Sequence, residues 1–336
     1  MSSKRIGRLD RFASVAAMLL AASHVVAALS PAPAEAEGAA TYTQFTSANF
    51  GGDNAPSWSS DGLYVYYSTR VGGFPYIYRK ASSAPMNQSG TRLTGWEIEE
   101  LSASASPDGN WVVMAARDTI GRARLWRCPA VGGDPLTKMT HGPYEDLHPQ
   151  WWGTGPSQEI VFATTRGGAG YQIATLKPNG TLLSTQMTQV TGPGYEDLNP
   201  CFSPDGQKIV FSSNRAGGKQ IFVVTREGAG WGAPVQVTSG GSDKTNPAYS
   251  PSGLSIAYEV AGSGGTTLWI MVSDGSNPRM ITNTGDYDAE PSWSPLTGQM
   301  AFVSDRSGAN YIWLIHDVST PAPLTSWGRV KAAYRN

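Results

Sequence analysis

Cysteine and histidine are scarce in this 336-residue chain, which has 2 of the first and 4 of the second. Zinc is therefore disfavoured, because its sites are built mainly from those two residue types. The cysteines, Cys128 and Cys201, fall in non-adjacent repeats (below), so they read as two unpaired, small, buried hydrophobes rather than a disulfide. An excess of charge of one sign is also missing, with 25 basic against 26 acidic residues and no block of like charge. A nucleic-acid partner needs a concentrated basic face and is not expected. The hydrolase signatures G-x-S-x-G, S-x-x-K and H-E-x-x-H are absent. No catalytic residue is assigned.

One long apolar run exists, and it lies at the start. Lys4, Arg5, Arg8 and Arg11 precede "FASVAAMLLAASHVVAAL" (12–29), which is followed by the small residues "SPAPAEAEGAA" with Ala34-Glu35-Ala36 as an A-x-A pattern. Basic start, apolar middle and small-residue end make residues 1–36 a cleavable signal peptide. Removing them leaves 21 basic and 24 acidic groups. No later run reaches the ~20 residues a membrane helix needs. A periplasmic or secreted product, expected as a monomer, follows.

The rest of the chain repeats itself. "NPCFSPDGQKIVFSSNR" (199–215), "NPAYSPSGLSIAYEV" (246–260) and "EPSWSPLTGQMAFVSDR" (290–306) are variants of one unit. Anchored on Pro56, Ala103, Pro149, Pro200, Pro247 and Pro291, six copies are spaced by 47, 46, 51, 47 and 44 residues. Two residues on stand Trp58, Ala105, Trp151, Phe202, Tyr249 and Trp293. Within a copy, "PCFS", "KIVFSS", "KQIFVV" and "PVQVTS" read as four strands, with "SPDG" supplying turn chemistry. One thin sheet cannot bury both faces, but a stack closed into a ring can. The fold class is all-β: a six-bladed β-propeller with four-stranded antiparallel blades, one domain over 42–336. "YTQFTS" (42–47) and "PLTS" (323–326) compete to complete the sixth blade.

"SPDGQKIVFSSNR", "SPLTGQMAFVSDR" and "SSDGLYVYYSTR" resemble the repeat of TolB-type six-bladed propellers, also seen in some exported peptidases. The WD dipeptide and Gly-His signals of WD40 repeats are missing. The resemblance covers roughly 42–326 and implies a protein-binding role in a periplasmic complex tying the outer membrane to the cell wall. It is expected here without the family's N-terminal α/β domain. No cofactor is expected.

Three residues before each anchor runs a ring of Asp53, Glu100, Asp146, Asp197, Lys244 and Asp288. The second strands end in Arg70, Arg117, Arg166, Arg215, Val260 and Arg306, with Glu259 beside Val260. Structural ion pairs are expected within the blades, reversed in blade five between Lys244 and Glu259. The ligand site is expected at the mouth of the central channel. Its candidates are His148, Asn199, Asn246 and Glu290 just before the anchors, beside Ala55 and Ser102, with Glu145 and Glu196 from the similar loops "PYEDLHP" and "GYEDLNP". Tyr144, Tyr195 and Tyr287 would rim it. Such a cup suits a peptide end, a sugar or Ca²⁺, to which Asp286 would add an oxygen. The expected role is a platform for a protein or cell-envelope component. The competing class is a metal-assisted lyase or lactonase acting on carbohydrate, using Glu145, Glu196, His148 and Glu290.

Overall fold

The computed structural model describes residues 40–47, 52–178, 187–282, 285–316 and 318. The expected signal peptide and the "PLTS" segment lie outside them. The first strand, β1 (Thr41–Gln44), pairs with no sequence neighbour. Blade one follows as β2 (Asn54–Trp58), β3 (Tyr64–Val71), β4 (Phe74–Ala81) and β5 (Thr91–Arg92). Blade two is β6 (Glu100–Ala105), β7 (Trp111–Arg117), β8 (Ala123–Pro129) and β9 (Thr137–Lys138). Blade three is β10 (Asp146–Trp152), β11 (Glu159–Thr164), β12 (Gln172–Leu176) and β13 (Met187–Gln189). In blade four, β14 (Leu198–Phe202), β15 (Lys208–Ser213) and β16 (Gln220–Glu227) are joined by the short β17 (Gly230–Trp231) and the outer β18 (Val235–Gln236). Blade five is β19 (Lys244–Tyr249), β20 (Ser255–Gly262), β21 (Gly265–Val272) and β22 (Arg279–Met280). Blade six holds β23 (Asp288–Trp293), β24 (Met300–Ser304) and β25 (Tyr311–His316), and β1 is its outer strand.

Closure thus comes from the chain's beginning. Thr41 lies opposite His316 and Gln44 opposite Trp313, antiparallel. A threonine repeated near the outer strands marks the same role in each case. Thr140, Thr191, Thr238 and Thr282 accept the backbone N–H of Leu125, Ile173, Ile221 and Leu268 through Oγ1 at 2.9–3.0 Å. Thr46 does this for Ile312 at 2.9 Å.

The turn chemistry forms as its residues dictate. In blade four Asp205 accepts from Ser203 Oγ at 2.6 Å and from the Gln207 amide at 3.0 Å, while Gly206 takes a φ of 67° that a side chain would disfavour. The aromatics two residues past the anchors are buried between blades, Phe202 at 2% exposure and Trp151 at 4%. Polar stitches accompany them. The amides of Trp151, Phe202 and Tyr249 donate to Ser104 Oγ (3.0 Å), Gln150 Oε1 (2.6 Å) and Cys201 Sγ (3.5 Å) of the preceding blade. Both cysteines are free thiols, Cys128 packed between blades one and two and Cys201 on the channel side of blade four.

Candidate functional site: the channel mouth

The innermost strand of each blade has a free edge toward the axis. A proline costs no ladder bond on such an edge, which is why the anchors can be proline. Each inner strand also carries a one-residue register slip beside its anchor, as between Leu198 and Cys201 or Ala289 and Ser292. Bulges of this kind bend a strand and re-aim a side chain. Five of the six residues preceding the anchors are left-handed: Ala55, His148, Asn199, Asn246 and Glu290, with φ of 51°, 52°, 53°, 47° and 55°. All five precede proline. In blade two, where Ala103 replaces proline, Ser102 is not among the left-handed residues.

These residues surround a cavity of about 400 Å³. The ring of anchors forms its floor, and beyond that waist the channel continues into a second cavity of about 530 Å³ reaching Trp58, Trp151 and Trp293. Glu290 Oε2 accepts the amide N–H of Ala55 at 2.5 Å, joining blade six to blade one. Glu259 braces the adjacent arc. Its Oε1 accepts from Asn246 Nδ2 and from the Glu290 amide, and its Oε2 from Thr245 Oγ1, all at 2.6 Å. Blade four has Ser212 at that register, donating to Asn199 Oδ1 at 3.3 Å.

The two sides of the mouth differ in charge. Burial raises the Glu290 carboxyl to about 7, with the Ala55 amide opposing and the Glu259 charge reinforcing the shift. Three blades away in the six-membered ring, burial and the Lys219 cation lower His148 to about 4, so its imidazole is neutral. Its buried Nδ1 has no hydrogen-bond partner among the described residues. Lys219 and Thr245 line the mouth as well, and sequence reasoning missed both. The "GGKQI" turn places Lys219 immediately before a third strand, which is the only signal for it.

Of the six ligand candidates, the structure brings His148, Asn199, Asn246 and Glu290 together at the mouth. Glu145 and Glu196 are elsewhere. Glu145 accepts from Tyr171 Oη at 2.7 Å and lies 3.8 Å from Arg117, while Glu196 bridges to Tyr171 through backbone. Glu145 lies in the loop from blade two to blade three and Glu196 in the loop from blade three to blade four, and neither lines the mouth with His148. Among the described residues no three His, Cys, Asp or Glu side chains gather as a metal cluster.

The expected ion pairs divide cleanly by register. Arg166 pairs with Asp146, Arg215 with Asp197 at 2.6 Å, and Arg306 with Asp288 at 2.8 Å, each acid fully buried. In these blades the arginine stands two residues past a hydroxyl (Thr164, Ser213 or Ser304) that it also contacts. Arg70 and Arg117 follow the corresponding position by one residue. Adjacent strand residues face opposite sides, so these two turn away from the acids. Arg70 reaches Gly73 O at 3.1 Å and Arg117 reaches Glu99 at 3.2 Å. Asp53 is held instead by Thr46 and Thr69 near Lys80, and Glu100 by Thr94 and the Ile77 amide at 2.6 Å. The reversed pair in blade five is also corrected. Lys244 lies opposite Val260 and donates to Ser242 O at 3.0 Å, whereas Glu259 points to the mouth. Counted from the aromatic of the second strand, the counterpart of Arg215 and Arg306 is Gly262, not Val260.

No family model matches the chain. The Tol-Pal system protein TolB of Francisella tularensis is 30% identical over 172 residues, a span of 49% of this chain and 37% of that protein. The chain thus matches well under half the length of this curated relative. Among solved structures, TolB from Acinetobacter baumannii superposes with a TM-score of 0.59 at 21% identity, over 73% of this chain and 57% of the other. A gluconolactonase from Xanthomonas campestris reaches 0.60 at 13% identity, over 83% and 90%. At such identities the structural likenesses carry the fold alone. The described chain is a six-bladed β-propeller, and about half of it is similar in sequence to part of a TolB protein.

Proposed function

We propose that this chain is an exported, TolB-like binding platform whose channel mouth grips a segment of a protein or cell-envelope component. The observation carrying this reading is the ring of five left-handed, pre-proline residues around a 400 Å³ mouth. Each such residue costs about 1–2 kcal/mol when it is not glycine, and strain of that kind persists where the surrounding structure enforces it, commonly at binding sites. The ring aims amide, imidazole and carboxyl groups at one space, with acid on one side and Lys219 on the other. A polypeptide segment, with donors and acceptors of both kinds, matches that lining. The basic-apolar-small start of the sequence supports export.

The test places a photo-crosslinking side chain at Asn199 and, as a control, at Leu296, exposed on a turn away from the mouth. A cell-envelope partner captured from Asn199 alone, and lost in a Glu290→Gln/His148→Ala variant, is the expected result. Equal capture from both positions would remove the mouth from the reading. The gluconolactonase likeness together with Glu290 supports the second reading, a metal-assisted enzyme on carbohydrate. A stoichiometric divalent ion that the same double variant loses would favour it.

A further inference from the structure

Three of the six gaps between blades are plugged by the same device. The Arg166 guanidinium lies 5.1 Å from the Tyr144 ring, and Arg215 lies 4.8, 5.5 and 5.2 Å from Tyr195, Phe211 and Phe222. Arg306 lies 4.5, 5.0 and 5.0 Å from Tyr42, Phe302 and Trp313. Each cation thus lies by at least one ring, with Arg215 and Arg306 each meeting three, and is tied to a buried aspartate.

The gap between blades four and five keeps the rings and loses everything else. Tyr258 faces Trp269 across the strands as Phe211 faces Phe222 and Phe302 faces Trp313. The arginine position is Gly262, the aspartate position is Lys244, and the loop tyrosine (two residues before the acid in Tyr144 and Tyr195) is Ser242. The blades do not collapse to compensate. A cavity of about 370 Å³ stands there, walled by Tyr258, Val260, Trp269 and Met271, with Lys244 at its rim and the Val237–Ser242 loop across it. That volume is in the range of small-ligand sites.

The charge at the rim selects the ligand. A guanidinium or ammonium would meet Lys244 where the sister gaps offer a carboxylate. Lys244 is half-buried, and its ammonium donates to the Ser242 carbonyl. Neighbouring Asp243 turns its carboxylate to the Lys219 amide at 2.9 Å, and Glu259 points to the channel. We propose that this gap is a second binding site, taking an organic carboxylate whose aromatic or branched aliphatic body packs on Trp269 and Tyr258 while its carboxylate meets Lys244. The site is separate from the mouth and does not depend on the role proposed for it.

Calorimetry with N-acetyl-phenylalanine and its neutral amide tests this on the whole protein. Saturable binding of the acid, at least tenfold weaker for the amide, is expected. The same loss is expected for Lys244→Gln and Trp269→Ala, while Glu290→Gln leaves the affinity unchanged. Gly262→Arg combined with Lys244→Asp restores the cation and the acid of the sister plug, the new Cβ at 262 approaching only Gly265 O at 3.3 Å, and should abolish binding with the melting temperature held. A tripeptide ending in phenylalanine separates the two sources of such a carboxylate: tighter binding than the free acid points to a chain terminus, and weaker binding to a small metabolite. No saturable heat with the acid or the peptide overturns the proposal. So does equal binding of acid and amide, or binding that Glu290→Gln removes.

Discussion

Glu290 Oε2 accepts the Ala55 amide hydrogen at 2.5 Å, and the Glu290 amide in turn donates to Glu259 Oε1 at 2.6 Å. One residue, through its side chain and its backbone amide, therefore links blades five, six and one at the rim of the channel. Burial holds its proton up to about 7, and the neighbouring Glu259 carboxylate adds to the shift.

That shift makes a stability prediction with a definite sign. Between the ordinary glutamate value of 4.5 and about 7, the unfolded chain has released a proton that the native state keeps. Native stability therefore falls as pH rises through this window, and the full loss is present above it. Glu290→Gln keeps an acceptor for Ala55 and removes the charge. It should match the parent near pH 4 and be more stable by roughly 1–2 kcal/mol at pH 8, a figure discounted because the carboxyl meets channel water. Chemical denaturation at a series of pH values reads this directly; a gap independent of pH would contradict the assignment.

The register of the arginines separates two otherwise similar substitutions. Arg215→Met leaves the fully buried Asp197 without its cation and should cost about 3–5 kcal/mol. Arg70→Met removes an exposed residue bonded to a turn carbonyl and should change stability by less than about 0.5 kcal/mol. Pairing Arg215→Met with Asp197→Leu should recover much of the loss, since the stranded charge is gone. Equal costs for the two single variants, measured by denaturant midpoints, would contradict the register argument.

Much of this was legible before any coordinates. The 47-residue rhythm, the buried aromatics and the "SPDG" turn follow from local patterns that repetition averages into a clear signal. The arginine positions needed one further count. Phe162, Phe211 and Phe302 precede their arginines by four residues, whereas Tyr67 and Met114 precede Arg70 and Arg117 by three. That odd spacing puts the latter pair on the other face, and it was present in the sequence. The left-handed backbone was not. Asn199 and Asn246 hint at it by type, but Ala55 and Glu290 do not, because the conformation is set by the bulge and not by the residue. Glu145 and Glu196 were not placed by their similar loop sequences: both meet Tyr171, about 25 residues away in the chain, a contact that no local pattern shows.

Ala55 offers the simplest probe of that backbone. At a φ of 51° it is strained, and glycine at the same place is not. Relief of about 1–2 kcal/mol is partly offset by about 0.5–1 kcal/mol of extra freedom in the unfolded chain. Ala55→Gly should therefore be neutral to slightly stabilising, whereas Ala55→Val should cost more than about 1 kcal/mol because a β-branched side chain fits this region badly. His148→Asn, which retains a residue tolerant of the conformation, should hold the parent melting temperature. A destabilised glycine variant would argue against a left-handed residue 55.

Closure through β1 predicts where the ring opens first. Phe45 is 3% exposed between blades six and one, its carbonyl accepts from Lys80 Nζ at 2.5 Å, and the next residue's hydroxyl accepts the Ile312 amide. Phe45→Ala should cost about 3–5 kcal/mol from the lost burial and the cavity left behind. The loss should also be local in a way that a generic core substitution is not. Releasing β1 exposes the amides of β25 that pair with it, while β12 and β16, in blades three and four, keep their partners. Native-state hydrogen exchange should therefore show protection falling in Tyr311–His316 at denaturant concentrations where Gln172–Leu176 and Gln220–Glu227 remain protected. Loss of protection at the same rate in all three strands would mean that β1 is not the weak seam of the wheel.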